Sequence, residues 1–214
     1  MTLERIRQSD KKFIIGIDEV GTGSLAGKIY VVAFLAPKDW TFVGVKDSKA
    51  FSSQNKRKEV AIRLMNETRA DGNIVYCCVS VHPNSDIYKD YGSNMHSALK
   101  FLYWKAASRI IEATKKDALI ILDGNIKFPE FPHSLGESVS LPKADALIPQ
   151  VSAASVIGKA VRDEYMTELG KKYPEYNWAK NKGYPSPDHL GALKKYGYCD
   201  EHRFGYEPIK SMRC

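Results

Sequence analysis

Short apolar segments that alternate with longer amphipathic ones constrain the fold of this chain most strongly. Runs rich in β-branched and aromatic residues predict strands at 13–17, 28–36, 73–81 and 118–122, with a brief strand within 126–142. Apolar residues at helical spacing predict helices at 52–70, 94–114, 149–171 and 187–196. Because strands come first and then alternate with helices, we expect an α/β domain with a mixed sheet.

The length and composition of the chain favour one domain without a membrane segment. The chain has 214 residues, and only the stretch 173–214, rich in Lys, Tyr, Gly and Pro, departs in composition, which indicates a C-terminal extension. No apolar run approaches the roughly 20 residues of a membrane helix, and the N-terminus has no secretory apolar core. The 4 cysteines form no CxxC pair, so we expect free thiols in a reducing cytoplasm.

Acidic residues follow the predicted strands at positions suited to chemistry. Asp18 and Glu19 end the first strand, Asp123 ends the strand at 118–122, and Asp145 precedes a helix. Carboxylates gathered in this way can hold Mg²⁺ or Mn²⁺, and two ions about 4 Å apart can cleave a phosphodiester. Structural explanations stay open for each acid: a solvent-facing turn, an Asp-Gly turn and a helix N-terminus.

Other common catalytic sites have no support in the sequence. The chain contains no GxxxxGK[ST] phosphate loop, and its 5 histidines lack the spacing of a zinc site. Nucleotide hydrolysis by a P-loop and a structural zinc site are therefore disfavoured.

The charge of the chain suits a polyanionic partner. Lys and Arg number 32 against 25 Asp and Glu, which gives a net charge of +7. Basic residues cluster at 46–58, and others alternate with aromatic residues at 173–196. Cations neutralise phosphates and aromatic faces pack on sugars or bases, so the pattern favours nucleic acid over the alternative of a solvated basic surface.

Six sequence motifs occur in an order that resembles the ribonuclease HII family. They are GIDEVGTGSLAG at 16–27, DSKAFS at 47–52, LDGN at 122–125, KADALIPQVSAASVIGKAVRDEYM at 143–166, NKGYPSPDHLGALKKYG at 181–197 and HRFGYEPI at 202–209. The resemblance extends from about residue 13 to 209. Each motif is short, but their shared order and spacing are specific.

The resemblance implies a ribonuclease H-like fold over 1–214, with a mixed five-stranded sheet flanked by helices and 173–214 as a helical extension over the substrate. It implies an endonuclease that hydrolyses RNA in RNA–DNA hybrids, or embedded ribonucleotides in a DNA duplex. The expected products carry 3′-hydroxyl and 5′-phosphate ends. The expected setting is cytoplasmic DNA replication and repair, by a monomer; the C-terminus IKSMRC is not an aromatic sliding-clamp peptide.

The same resemblance implies roles for individual residues. The four acids, Asp18, Glu19, Asp123 and Asp145, would be catalytic and bind two Mg²⁺ or Mn²⁺ ions. The backbone of Gly21, Thr22 and Gly23 would approach the 2′-hydroxyl that distinguishes RNA from DNA. Ser48 and Lys49, in the DSK motif, would bind substrate, with Lys49 on a phosphate. Tyr184 would pack on the deoxyribose at an RNA–DNA junction.

One departure from the family pattern bears on specificity. Ribonuclease HII usually has Arg or Lys between the two glycines, whereas this chain has Thr22, and DEVGTG resembles the sister family ribonuclease HIII. We expect an HII-type enzyme; the alternative is an HIII-like hybrid nuclease without strict junction preference. A non-catalytic duplex-binding module and another nuclease on the same fold are further alternatives.

Overall fold

The computed structural model describes residues 2–42, 53–68, 71–86, 95–125 and 135–213. The strands are β1 (Phe13–Val20), β2 (Ile29–Pro37), β3 (Val75–Val81), β4 (Ala118–Asp123) and β5 (Ser138–Leu141). The helices within these residues are α1 (Thr2–Gln8), α2 (Gln54–Asn66), α3 (Met95–Thr114), α4 (Ala144–Leu147), α5 (Pro149–Lys172), α6 (Trp178–Asn181), α7 (Pro187–Tyr196) and α8 (Ile209–Met212), with a 3₁₀ turn at Pro174–Tyr176.

The five strands form one mixed sheet in the order β3-β2-β1-β4-β5, as the sequence predicts. β1 runs parallel to β4, with Ile17 opposite Leu122, and β4 runs parallel to β5, with Asp123 opposite Leu141. The carboxyl ends of these three strands therefore meet at one edge of the sheet.

Burial fits the inner positions of β2 and β1 in the sheet. β2 is buried from Ile29 to Ala36, which accounts for a continuous apolar run without alternation. In β1, a Cβ on Gly16 would lie only 2.7 Å from the carbonyl oxygen of Gln150. Glycine at this position allows α5 to approach the backbone of the strand closely.

The chain divides into two compact units. The first comprises Met1–Glu19, Val31–Val79 and Lys100–Ala160. One of its cores consists of Ile6, Ile14, Leu119, Ile121, Val139, Leu141, Ala144, Ile148 and Val151. The second comprises Val20–Tyr30, Ser80–Leu99 and Val161–Cys214. Its core consists of Leu25, Ala26, Met166, Leu169, Tyr176, Trp178, Ala192, Leu193 and Ile209.

The main elements agree with the sequence predictions, and the differences are a longer first strand and unpredicted short helices. β1 continues to Val20, so the prediction that it ends before Asp18 was wrong, and Asp18 and Glu19 lie within the strand. The helix predicted at 187–196 is present at those bounds, where the Ser186 hydroxyl caps the His189 N–H at 3.2 Å. α1 was not predicted, and it buries Ile6 in the first core. α8 was not predicted either, and its first residue, Ile209, is buried.

No helix in the described part of the chain combines the length and the apolar character that crossing a membrane requires.

Candidate active site

Two of the predicted acids lie near the carboxyl ends of neighbouring strands in the first unit. Asp18 follows Ile17 in β1, and Asp123 is the last residue of β4, one position beyond the Ile17–Leu122 pair. Burial raises the pKa of Asp18 to about 7, and repulsion from Glu19 and Asp123 adds to this effect. The Asp18 carboxylate is therefore poorly compensated in the protein alone.

A hydrogen-bonded chain from α5 reaches Asp18. Lys159 Nζ donates to Ser155 Oγ at 2.9 Å, and the Ser155 hydroxyl bonds to the Asp18 carboxylate. Asp18 Oδ1 also accepts the backbone N–H of Glu19 at 2.9 Å. These contacts orient the carboxylate, although they do not bring its pKa back to the ordinary range.

Glu19 has a partner that the sequence did not reveal. The hydroxyl of Tyr103, a residue of α3 with no exposed surface, donates a hydrogen bond to Glu19 Oε2. Burial raises the pKa of Glu19, while the Tyr103 hydrogen bond acts in the opposite direction. Tyr103 thus fixes the orientation of this carboxylate from α3.

Asp145, the fourth predicted acid, contacts Asp123 through its backbone. It lies in the first turn of α4, is buried, and its backbone N–H points at Asp123 Oδ1 over 3.4 Å. Lys143, in the left-handed conformation with φ of 58°, begins this short helix directly after β5. All four predicted acids therefore belong to the first unit and come from β1, β4 and α4.

The acids suit a hard divalent cation in chemistry, although they do not yet form a closed ligand set. Among the described residues, no three His, Cys, Asp or Glu side chains are close enough to hold an ion as arranged. The donors are nevertheless carboxylate oxygens, which Mg²⁺ and Mn²⁺ prefer. The raised pKa of Asp18 and of Glu19 indicates that the protein alone stabilises their charged forms poorly. A bound cation would compensate this negative charge.

The predicted glycine turn lies in the second unit and exposes only its tip. Gly21 has φ of +89°, and a Cβ on it would collide with the Arg162 side chain, so glycine is required there. Ser24 Oγ donates to the carbonyl oxygens of Gly21 and Ala26 at 3.0 and 3.1 Å. Between residues 21 and 27, only Thr22 and Gly23 reach solvent.

Tyr184 lies beside this tip within the same unit. Its side chain is 41% exposed, and its Cε1 would be 3.9 Å from a Cβ on Gly23. Its backbone carbonyl accepts a hydrogen bond from His189 Nδ1 at 3.0 Å. An exposed ring next to an exposed backbone is a surface on which a sugar can pack.

A buried histidine pair supports the Tyr184 segment. His189 Nε2 accepts from Trp178 Nε1 at 3.0 Å and lies 3.1 Å from His202 Nε2, while His202 Nδ1 accepts the Cys199 N–H at 3.0 Å. Burial lowers the pKa of both rings, that of His202 to about 4. Both histidines are therefore neutral near pH 7, with His202 Nε2–H donating to His189.

Ser48 and Lys49 lie outside the described residues. The predicted phosphate contact of Lys49 and the substrate contact of Ser48 therefore stay predictions.

Sequence reasoning missed the residues that support the acids of the first unit and the glycine turn of the second. Tyr103 shares the apolar spacing of α3, and Ser155 lies among the small residues of α5, so both resembled packing residues. Arg162 and Arg203 are fully buried, whereas arginines are expected at the surface. The available signal was the position of Arg162 one helical turn beyond Gly158 on the buried part of α5.

Comparison with known proteins identifies what this chain is similar to. The family model described as ribonuclease HII matches residues 15–207. Ribonuclease HII from Staphylococcus saprophyticus is 35% identical over 207 residues, which cover 97% of this chain and 74% of that relative.

Solved structures agree on the fold. Ribonuclease H2 from Pyrococcus horikoshii OT3 superposes with a TM-score of 0.74 at 24% identity, covering 94% of this chain and 96% of that one. Bst-RNase HIII in complex with Mn²⁺ gives a TM-score of 0.76 at 20% identity, covering 99% of this chain and 72% of that one. At these identities the likeness supports a shared ribonuclease H-like fold.

Proposed function

Because the chain belongs to the ribonuclease HII family of endonucleases, which hydrolyse RNA in RNA–DNA hybrids, we propose that it also cuts at embedded ribonucleotides and uses two divalent ions. The observation that carries the proposal is the placement of Asp18, Glu19 and Asp123 near the carboxyl ends of the neighbouring strands β1 and β4. Burial, and then repulsion from the neighbouring acids, raises the pKa of Asp18 and of Glu19 there. A protein that only bound duplexes would gain nothing from negative charge beside phosphates.

The four acids have distinct proposed roles. Asp18 and Asp123 would bind both ions, whereas Glu19 and Asp145 would each bind one. Two Mg²⁺ or Mn²⁺ ions supply a water of lowered pKa and stabilise the leaving 3′-oxygen. Ser155 and Tyr103 orient Asp18 and Glu19 through their hydroxyl groups. The expected products carry a 3′-hydroxyl and a 5′-phosphate.

Substrate recognition is proposed for other residues of the chain. The backbone at Gly21, Thr22 and Gly23 would read the ribose 2′-hydroxyl, and Tyr184 would pack on the adjacent deoxyribose. Lys49, with Ser48, would bind a phosphate. Action in the cytoplasm, a role in replication and repair, and a monomeric state likewise remain predictions.

Three labelled duplexes test the proposed function. They contain one embedded ribonucleotide, four ribonucleotides, or a complete RNA strand opposite DNA, each with Mg²⁺ or Mn²⁺. We expect cleavage of all three, and the single-ribonucleotide duplex should be cut at the ribonucleotide. Cleavage restricted to the longer RNA stretches would favour the HIII-like alternative, and cleavage of none would favour a binding module.

Replacing Tyr103 by Phe should weaken metal binding without preventing folding. The substitution removes only the hydroxyl that orients Glu19. Loss of such an outer partner typically costs about 10-fold or more in metal affinity. Calorimetric titration with Mn²⁺, without nucleic acid, measures this effect directly.

A matched control for Tyr103 lies in the second unit. The Tyr165 hydroxyl donates to Glu201 Oε2 at 3.1 Å, so Tyr165→Phe also removes a tyrosine–glutamate hydrogen bond. The control variant should keep the Mn²⁺ affinity of the natural chain. An unchanged affinity in Tyr103→Phe would refute the orienting role.

Metal-free protein should lose stability as the pH rises. The pKa of Asp18 is about 7 in the folded chain and 3.8 ordinarily, so the native state favours the protonated carboxyl. Its contribution is therefore present below about pH 4 and is lost as the pH rises through about 7. A shift of this size corresponds to at most about 4 kcal/mol.

Urea unfolding in a metal chelator at about pH 5 and pH 8 tests this dependence. We expect Asp18→Asn to show a smaller fall in the free energy of unfolding than the natural chain, and Mg²⁺ to restore stability at the higher pH. Equal pH dependence in the two proteins would exclude a strained Asp18.

A further inference from the structure

Two buried arginines hold the glycine turn from the inside. Arg203 donates to the carbonyl oxygen of Gly27 through Nε and Nη2, at 3.0 and 2.9 Å, and to that of Thr22 through Nη1 at 3.1 Å. Arg162 donates to Ser24 Oγ at 2.6 Å and to the carbonyl oxygens of Lys182 and Lys28 at 3.0 and 3.2 Å. The two guanidinium groups thus bond to the turn on which ribonucleotide recognition was proposed.

Neither guanidinium is neutralised by a carboxylate in the described part of the chain. Their hydrogen-bond acceptors are backbone carbonyl oxygens and one hydroxyl, while Arg162 and Arg203 have 1% and 0% exposure. A buried cation that loses such an acceptor is left without solvation, which is costly. The turn is consequently fixed by bonds that are stronger than those between neutral groups.

The exposed tip receives a second donor. The Tyr206 hydroxyl donates to the Thr22 carbonyl oxygen at 3.0 Å, beside the bond from Arg203. Both lone pairs of this carbonyl are thereby used on the protein side. In a trans peptide the carbonyl and the following N–H point in opposite directions, so the Gly23 N–H faces away from Arg203 and Tyr206.

The Gly23 N–H is therefore a donor at an exposed position. Gly23 is exposed, and its N–H has no acceptor among the residues that the structure describes. The partly exposed ring of Tyr184 lies next to it. A fixed donor adjoining an aromatic face matches a ribose, whose 2′-hydroxyl accepts a hydrogen bond while the sugar packs on the ring.

We propose that Arg203 and Tyr206 are positioning residues that fix the Thr22–Gly23 peptide, and that they thereby set the preference of this enzyme for a ribonucleotide over a deoxyribonucleotide. The inference rests on the proposed function, since it concerns how the same site reads the sugar. The proposal also explains how a turn with Thr22 in place of a cationic residue would distinguish a ribonucleotide from a deoxyribonucleotide. The positive charge belongs to the buried Arg203, which bonds to the backbone of the turn.

Tyr206→Phe tests the proposal with the smallest change. The measurement is the affinity for a duplex with one ribonucleotide and for the all-DNA duplex of the same sequence, by fluorescence anisotropy with Ca²⁺ in place of Mg²⁺. The ratio of the two affinities should fall by about 3- to 10-fold, as expected for the loss of one hydrogen bond. Affinity for the all-DNA duplex should not change.

A matched control and a second variant keep the test decisive. Tyr176 also donates its hydroxyl to a backbone carbonyl, that of Gly197 at 3.1 Å, so Tyr176→Phe should change stability but not the affinity ratio. Arg203→Lys keeps the positive charge but loses the guanidinium, which donates to two carbonyl oxygens at once. The affinity ratio of this variant should therefore fall more than that of Tyr206→Phe. If Arg203→Lys does not fold, the affinity ratio of Tyr206→Phe still tests the positioning role.

The outcomes separate this proposal from the proposed function. A natural chain that prefers the ribonucleotide duplex, with Tyr206→Phe unchanged in ratio or weakened equally on both duplexes, overturns the positioning role alone. A natural chain that neither cleaves nor prefers a ribonucleotide overturns the proposed function and this inference with it. A fall in ratio confined to Tyr206→Phe and Arg203→Lys supports both.

Discussion

Asp18→Asn should abolish cleavage while leaving the protein folded. The substitution removes one anionic oxygen from the residue proposed to bind both ions, near the carboxyl end of β1 and on the strand beside Asp123. Metal ions supply several kcal/mol of transition-state stabilisation, so we expect turnover to fall by about 10³-fold or more. Measurement of kcat on the single-ribonucleotide duplex tests this prediction.

Stability separates loss of chemistry from loss of fold in this variant. Because burial raises the pKa of Asp18, replacing its charge by an amide should leave the metal-free protein as stable as the natural chain, or more so, at about pH 8. Asp117→Asn is the matched control, since Asp117 is exposed and pairs with Lys11 at 2.6 Å in the same unit. Near-natural turnover in Asp18→Asn would end the assignment.

Removing the single 2′-hydroxyl from the substrate should lower cleavage about as strongly as Asp18→Asn does. A site that hydrogen-bonds a substrate hydroxyl rejects the analogue lacking it by about 10⁴-fold. We therefore expect kcat/KM to fall by about that factor when the single ribonucleotide of a duplex is replaced by its deoxy counterpart. The comparison needs no variant protein and leaves the rest of the substrate unchanged.

The position of the cut provides the control for that comparison. Moving the ribonucleotide along an otherwise constant duplex should move the cleavage site with it. Cleavage of the all-DNA duplex at a comparable rate would instead favour another nuclease on the same fold.

The strands, and the acids near their carboxyl ends, were predictable because they depend on local patterns. Apolar runs identify buried strands, and two parallel neighbours necessarily bring Asp18 and Asp123 to one edge. The grouping of distant acids follows from topology once the sheet order is known.

The supporting residues were not predictable because their partners are distant in sequence. Tyr103 has the sequence spacing of any aromatic residue that a helix buries in the core. What sets it apart is its hydrogen bond to a carboxylate 84 positions away. Arg203 binds a carbonyl 176 positions away, which no local pattern encodes. Short helices such as α8 were missed since tertiary packing, here of Ile209, stabilises them rather than propensity.

Anomalous diffraction from crystals grown with Mn²⁺ shows whether the four acids hold a pair of divalent ions. We expect two anomalous peaks about 4 Å apart, ligated by Asp18, Glu19, Asp123 and Asp145. Peaks at other residues, or no peak beside these carboxylates at saturating Mn²⁺, would contradict this expectation.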